Sequence, residues 1–147
     1  MNSTLRNVLA VLAGLVVGSV VNMGLVTVGP MVIAPPPGFD VTSTESLQAS
    51  AHLLEPRHFV FPFLAHALGT LVGALVAYLF ARGRRTAMAL IVGAIFLGGG
   101  VAAATMIPAP VWFIALDLVV AYVPMAWLGS VIGSRLSSSP SAADDAP

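Results

Sequence analysis

PRHFVFPFLAHALGTLVGALVAYLFARGRR, residues 56–85, is the stretch that decides the fold. From Phe59 to Ala81 it runs for 23 residues whose only ionisable side chains are His66 and Tyr78, and Arg82, Arg84 and Arg85 close it. A helix rises about 1.5 Å per residue, so this run covers roughly 34 Å and crosses a hydrocarbon core of about 30 Å. The arginines mark its end as a cytoplasmic stop. This single segment already requires an integral membrane protein.

Three runs of the same kind flank it. Asn7 to Gly29 is uninterrupted and apolar behind Arg6. It is longer than the apolar core of a cleaved signal and no A-x-A site follows, so it reads as a retained span. Thr86 to Ile107 is rich in glycine and alanine, and Val111 to Gly133 carries Asp117 and Pro124 inside it. Trp112 and Trp127 lie towards the two ends of that last run, where tryptophan suits the membrane interface. The expected fold is an all-α membrane protein, a four transmembrane helix bundle in one domain over residues 1–136, with spans near 7–29, 59–81, 86–107 and 111–133. Residues 137–147 are Ser, Pro, Ala and Asp with no apolar surface to bury, and read as a disordered cytoplasmic tail.

Composition narrows the function. Of 147 residues 58% are hydrophobic and 8% charged, and the mean hydropathy is +0.97, outside the range of soluble domains. The net charge is zero, so bulk charge argues for no nucleic-acid partner. Without cysteine there is no disulfide, thiolate metal site or cysteine nucleophile. Residues 30–58 form the longest stretch between spans, shorter than the roughly 40 residues a domain needs to fold unaided. No Ser/His/Asp signature or nucleotide loop occurs, so neither an enzyme nor a cofactor is expected. Arg6, Arg82, Arg84, Arg85 and Arg135 fall on one side of a four-span layout and only Arg57 on the other. The positive-inside rule then puts both termini in the cytoplasm, and a bacterial inner (plasma) membrane fits.

The segment from Gly29 to His58 opens with Gly29-Pro30 and Pro35-Pro36-Pro37-Gly38, which end a helix. Thr42-Ser43-Thr44-Glu45 fits a capping box ahead of a short surface helix with Leu47, Ala51 and Leu54 on one stripe, stopped by Pro56. Here His52, Glu55 and His58 are weak metal candidates. Glu55-x-x-His58 has the spacing of a carboxylate–imidazole pair, but Pro56 pushes Glu55 out of helical geometry. Interfacial side chains beside the headgroups are the simpler reading, ahead of a metal or haem site.

Inside the spans, Asn22, His66 and Asp117 each lie roughly 9–11 Å below the loop-side boundary and form one candidate polar layer, with Thr70 a turn below His66. An aspartate near the centre of a spanning helix costs about 2.5–3.5 kcal/mol, so Asp117 should face the bundle, with His66 as the obvious partner. Gly14, Gly18, Gly69, Gly73 and Gly98 are expected at helix contacts, since small residues let spanning helices approach closely. A weak repeat accompanies them. A shift of 79 residues brings Arg6 onto Arg85, and a shift of 51 brings His66 onto Asp117. Two pseudo-repeated helical hairpins would give this, and so would chance similarity between apolar hairpins.

Asn22-Met23-Gly24, the proline-rich loop, His66, Gly98-Gly99-Gly100 and Met106-Ile107-Pro108-Ala109-Pro110-Val111-Trp112 together resemble an uncharacterised group of small four-span bacterial membrane proteins. The resemblance implies the topology and no activity. The leading function is a non-enzymatic packing or accessory subunit that joins a homo-oligomer or larger membrane complex in the lipid bilayer; the alternative is a small transporter or channel for a proton, cation or small polar solute working through the Asn22/His66/Asp117 layer, and a metal- or haem-binding membrane protein stands third.

Overall fold

Lipid offers no water to a bare backbone N–H or C=O, so each apolar run satisfies its own polar groups as a helix. The computed structural model of the chain describes residues 2–138 and places them in six α-helical segments. These are α1 (Ser3–Val32), α2 (Thr44–Ser50), α3 (Val60–Phe80), α4 (Arg85–Met106), α5 (Val111–Val120) and α6 (Val123–Ser138). Four of the resulting units are long and apolar enough to cross a membrane: α1, the segment Pro56–Phe80, α4, and α5 with α6. The architecture is an all-α four-helix membrane bundle.

The four crossings run alternately up and down. Near the arginine-rich end Arg6 Nε donates to the Phe80 carbonyl at 2.8 Å and the Arg82 N–H donates to Asn7 Oδ1 at 2.8 Å, tying the start of α1 to the end of α3. The α3–α4 turn needs left-handed backbone at Gly83 (φ 65) and at Arg84 (φ 35). Gly83 takes it freely, whereas Arg84 sits there at a cost of about 1–2 kcal/mol.

Several boundaries differ from the sequence reading. α1 does not stop at Gly29 but continues through Pro30 to Val32. A proline so near the end forfeits one hydrogen bond, and the Ile33 N–H still closes onto the Gly29 carbonyl at 2.8 Å. The cap of α2 is Ser43 rather than Thr42: Ser43 Oγ accepts the Ser46 N–H at 3.0 Å, while the Thr42 N–H donates to Asp40 Oδ1 at 2.8 Å. That last bond is the main reason the Asp40 carboxyl is held below its ordinary value. The fourth span is not one helix. It breaks at Ala121 and Tyr122, two residues ahead of Pro124, which has no N–H to continue the ladder. It also runs past Gly133 to Ser138, so residues 137 and 138 are helical rather than part of a tail, and residues 139–147 of the expected tail lie outside the described residues.

α3 is the central element, packed against α1, α4 and α6. Its small face makes this possible: Ala65, Ala74 and Ala77 are wholly buried. Against α1 the contact is backbone on backbone. A Cβ on Gly14 would strike the Gly73 carbonyl oxygen, one on Gly18 would lie 2.6 Å from the Gly69 oxygen, and the reverse holds for Gly69 and Gly73 at 2.9 and 2.6 Å. Such closeness allows Cα–H···O contacts across the pair. Against α6, Gly129 meets the Leu71 carbonyl and Gly133 meets the Tyr78 ring. Large side chains such as Val16, Val20, Val119 and Trp127 point outwards, which is the distribution lipid favours. Gly98 is a correction within the chain: a Cβ built on it would meet no other element within 4 Å among the described residues, and Gly100, two positions on and facing Tyr122, is the glycine of that triplet packed inside the bundle. The two hairpins are also unequal, since α3 is continuous where the fourth crossing is broken.

Candidate intramembrane site

Asp117 sits in the second turn of α5 and is 5% exposed. Its carboxylate faces into the bundle, where His66 Nδ1 of α3 lies 2.9 Å from both Oδ1 and Oδ2. The Tyr122 hydroxyl donates to Oδ2 at 3.0 Å, and its ring stacks on the His66 ring with centroids 5.7 Å apart. The carboxylate therefore meets two donors, and His66 bears its proton on Nδ1 when it serves as one of them. No buried side-chain nitrogen or oxygen lacks a partner among the described residues. Residues related by the 51-residue shift thus face each other across the bundle centre.

Tyr122 reaches Asp117 only because the helix breaks. At 3.6 residues per turn, positions five apart point roughly 140° away from each other. The Ala121–Tyr122 turn swings the phenol back, and Gly100 leaves the space its hydroxyl occupies. Sequence reasoning passed over this residue. Its signal was a tyrosine well inside a span, away from the interface, two positions before a proline.

Two cavities meet at His66. One, of about 420 Å³, lies under the proline-rich segment and α2, with Phe39, Leu47, Phe61 and Phe113 on its walls and His66 and Asp117 on its lining. The other, of about 290 Å³, lies between α1, α3 and α4 and is lined by Ser19, Asn22, His66, Thr70 and Tyr122. Asn22 therefore does not join Asp117 in one layer. It rests against Gly69, 3.1 Å from where a Cβ there would sit, because the glycine contact draws α1 onto that side of α3. The expected layer is two compartments that share an imidazole: His66 with Asp117 on one side, His66 with Asn22 and Thr70 on the other.

The loop residues His52, Glu55 and His58 are not assembled as a metal cluster, and no group of three such ligands occurs among the described residues. His52 Nδ1 lies 2.8 Å from the Ala49 carbonyl, and Glu55 pairs with Arg57 at 3.0 Å. His58 Nδ1 accepts the Glu55 N–H at 2.9 Å, which leaves Nε2 to donate to the Ala34 carbonyl at 3.2 Å. This one neutral tautomer pins the segment after α1 to the start of the α3 crossing. The reason is Pro56, which starts a 3-10 turn, Pro56–Phe59, and takes Glu55 out of any helix shared with His52.

No protein-family model, curated protein or solved structure matches this chain.

Proposed function

We propose that the chain is a non-enzymatic membrane transport protein, in which a proton or a small cationic or polar solute passes by way of His66 and Asp117. The observation that carries this is that His66 borders both cavities while bonded to a buried carboxylate. Imidazole is the side chain that gains and loses a proton near neutral pH, so it can hand a proton between compartments. An intramembrane carboxylate costs free energy wherever it stands, and a cluster retained at that cost suits a conducting or binding role. With the arginines counted as before, the loop with α2 faces outwards from a bacterial inner membrane and both termini face the cytoplasm.

The test is proton flux into proteoliposomes under an imposed pH gradient. Wild-type protein is expected to dissipate the gradient faster than protein-free vesicles, and the double variant His66→Leu, Asp117→Leu is expected to fall to the protein-free rate while eluting from size exclusion as the wild type does. Undiminished flux in that variant removes the reading.

A second reading, an accessory subunit that self-associates, is favoured by one observation. Ala94, Gly98 and Ala102 recur every fourth residue on α4 and are exposed. That is the small-xxx-small pattern through which spanning helices pair. Disulfide trapping of a Gly98→Cys variant in membranes tests it: a crosslinked dimer supports self-association, and monomer alone removes it.

A further inference from the structure

The larger cavity is almost wholly apolar, and the exception is informative. Phe39, Phe59, Phe61 and Phe113 bring four aromatic rings to its lining, which holds no lysine or arginine. Its acidic residue is Asp117, and its other titratable side chains are His58 and His66. An anion would meet a carboxylate here with no fixed cation to offset it. A neutral apolar molecule would fill the space but would strip water from Asp117 without returning an interaction. A cation on an apolar body satisfies both parts of the lining, since its charge faces the carboxylate in a low-dielectric site and its body meets the rings, whose faces attract cations. A volume of about 420 Å³ is in the range of small-molecule sites.

We propose that this cavity binds a small lipophilic cation, an ammonium head on an aromatic or aliphatic body, with Asp117 as its counter-charge. The proposal rests on the transport reading above and names the substrate class for the same site. His66 and Tyr122 hold the carboxylate by Nδ1 and the hydroxyl, and this orders Asp117 on the cavity lining before the ligand arrives. Such prior ordering reduces what binding must spend on immobilising the acid. The proline-rich segment and α2 supply the cover, with Phe39, Leu47 and Leu54 facing the body of the ligand.

The experiment is calorimetric titration of the purified full chain in lipid nanodiscs with phenylbutylammonium and with phenylbutanol, which differ in the head and little in the body. The ammonium is expected to bind at least about tenfold more tightly than the alcohol. In Asp117→Asn that preference should shrink to about twofold or less, with the alcohol affected little. Ala104→Phe, which adds a ring on the α4 side of the cavity at a position outside the His66–Asp117 hydrogen bond, should weaken both ligands and guards against an Asp117 variant that merely misfolds. Equal affinity of the two ligands for the wild type, a preference unchanged in Asp117→Asn, or full binding by Ala104→Phe each overturns the proposal. The proton-flux assay separates the two ideas. Flux that depends on His66 and Asp117 without ammonium binding leaves the transport reading standing and this one refuted, whereas the full binding pattern without proton flux supports the cation site and refutes proton passage.

Discussion

At Asp117 a carboxylate has been taken out of water and given an imidazole and a phenol in its place. Hydrogen bonds to charged groups are worth about 1.5–3 kcal/mol in soluble proteins, but polar contacts between membrane helices average nearer 0.6 kcal/mol. The membrane value is the better guide, raised because the acceptor is buried. Tyr122→Phe should therefore cost about 1 kcal/mol of stability, read by unfolding in mixed micelles, and should leave His66 bonded to Asp117. A change below the error of that measurement would mean the phenol is only a space-filler. The His66–Asp117 contact was legible in the sequence because a buried acid needs a partner and His66 lay at a similar depth. The phenol was not, because helical periodicity turns position 122 away from position 117 and only the Pro124 break reverses that.

Between elements, the glycine contact of α1 and α3 decides how the bundle closes. Gly18→Leu places a side chain where the Gly69 carbonyl and the Phe96 ring already stand, and overpacking of this kind costs about 1–3 kcal/mol. Gly24→Leu, on the same helix, meets open space within 4 Å and should be neutral in the same unfolding assay. Equal effects at the two sites would remove the claim that this contact organises the pair. Gly14, Gly18, Gly69 and Gly73 were readable as contact residues from their four-residue spacing. Gly98 was singled out on composition alone: within Gly98-Gly99-Gly100 each residue lies about 100° around the helix from the next, so only the position of Tyr122, at the break of the fourth crossing, picks out Gly100 as the glycine packed within the chain.

For the whole molecule, sidedness is the property a function in a membrane depends on. The chain has no cysteine, so single introduced cysteines report position cleanly. In intact cells an impermeant maleimide should label Gln48→Cys on exposed α2, and should label Ser137→Cys only after permeabilisation. The opposite pattern would invert the orientation and place the larger cavity on the cytoplasmic side. The loop also changes meaning at this scale. As sequence it was a proline-rich connector with three weak metal candidates, whereas in the folded chain Phe39, Leu47 and Leu54 line a cavity and His58 fastens one end of the segment to the other.

By itself the sequence determined four helices long and apolar enough to cross a membrane and their alternation, because both follow from the lengths of the apolar runs and the short turns between them. These are one-dimensional properties. The break at Ala121–Tyr122, the choice of Gly100 over Gly98, the separation of Asn22 from Asp117 and the two cavities that meet at His66 were decided only by the tertiary structure. Each depends on which face of one helix another helix covers, and lipid, being as apolar as the helices it surrounds, leaves that choice to the packing of small residues.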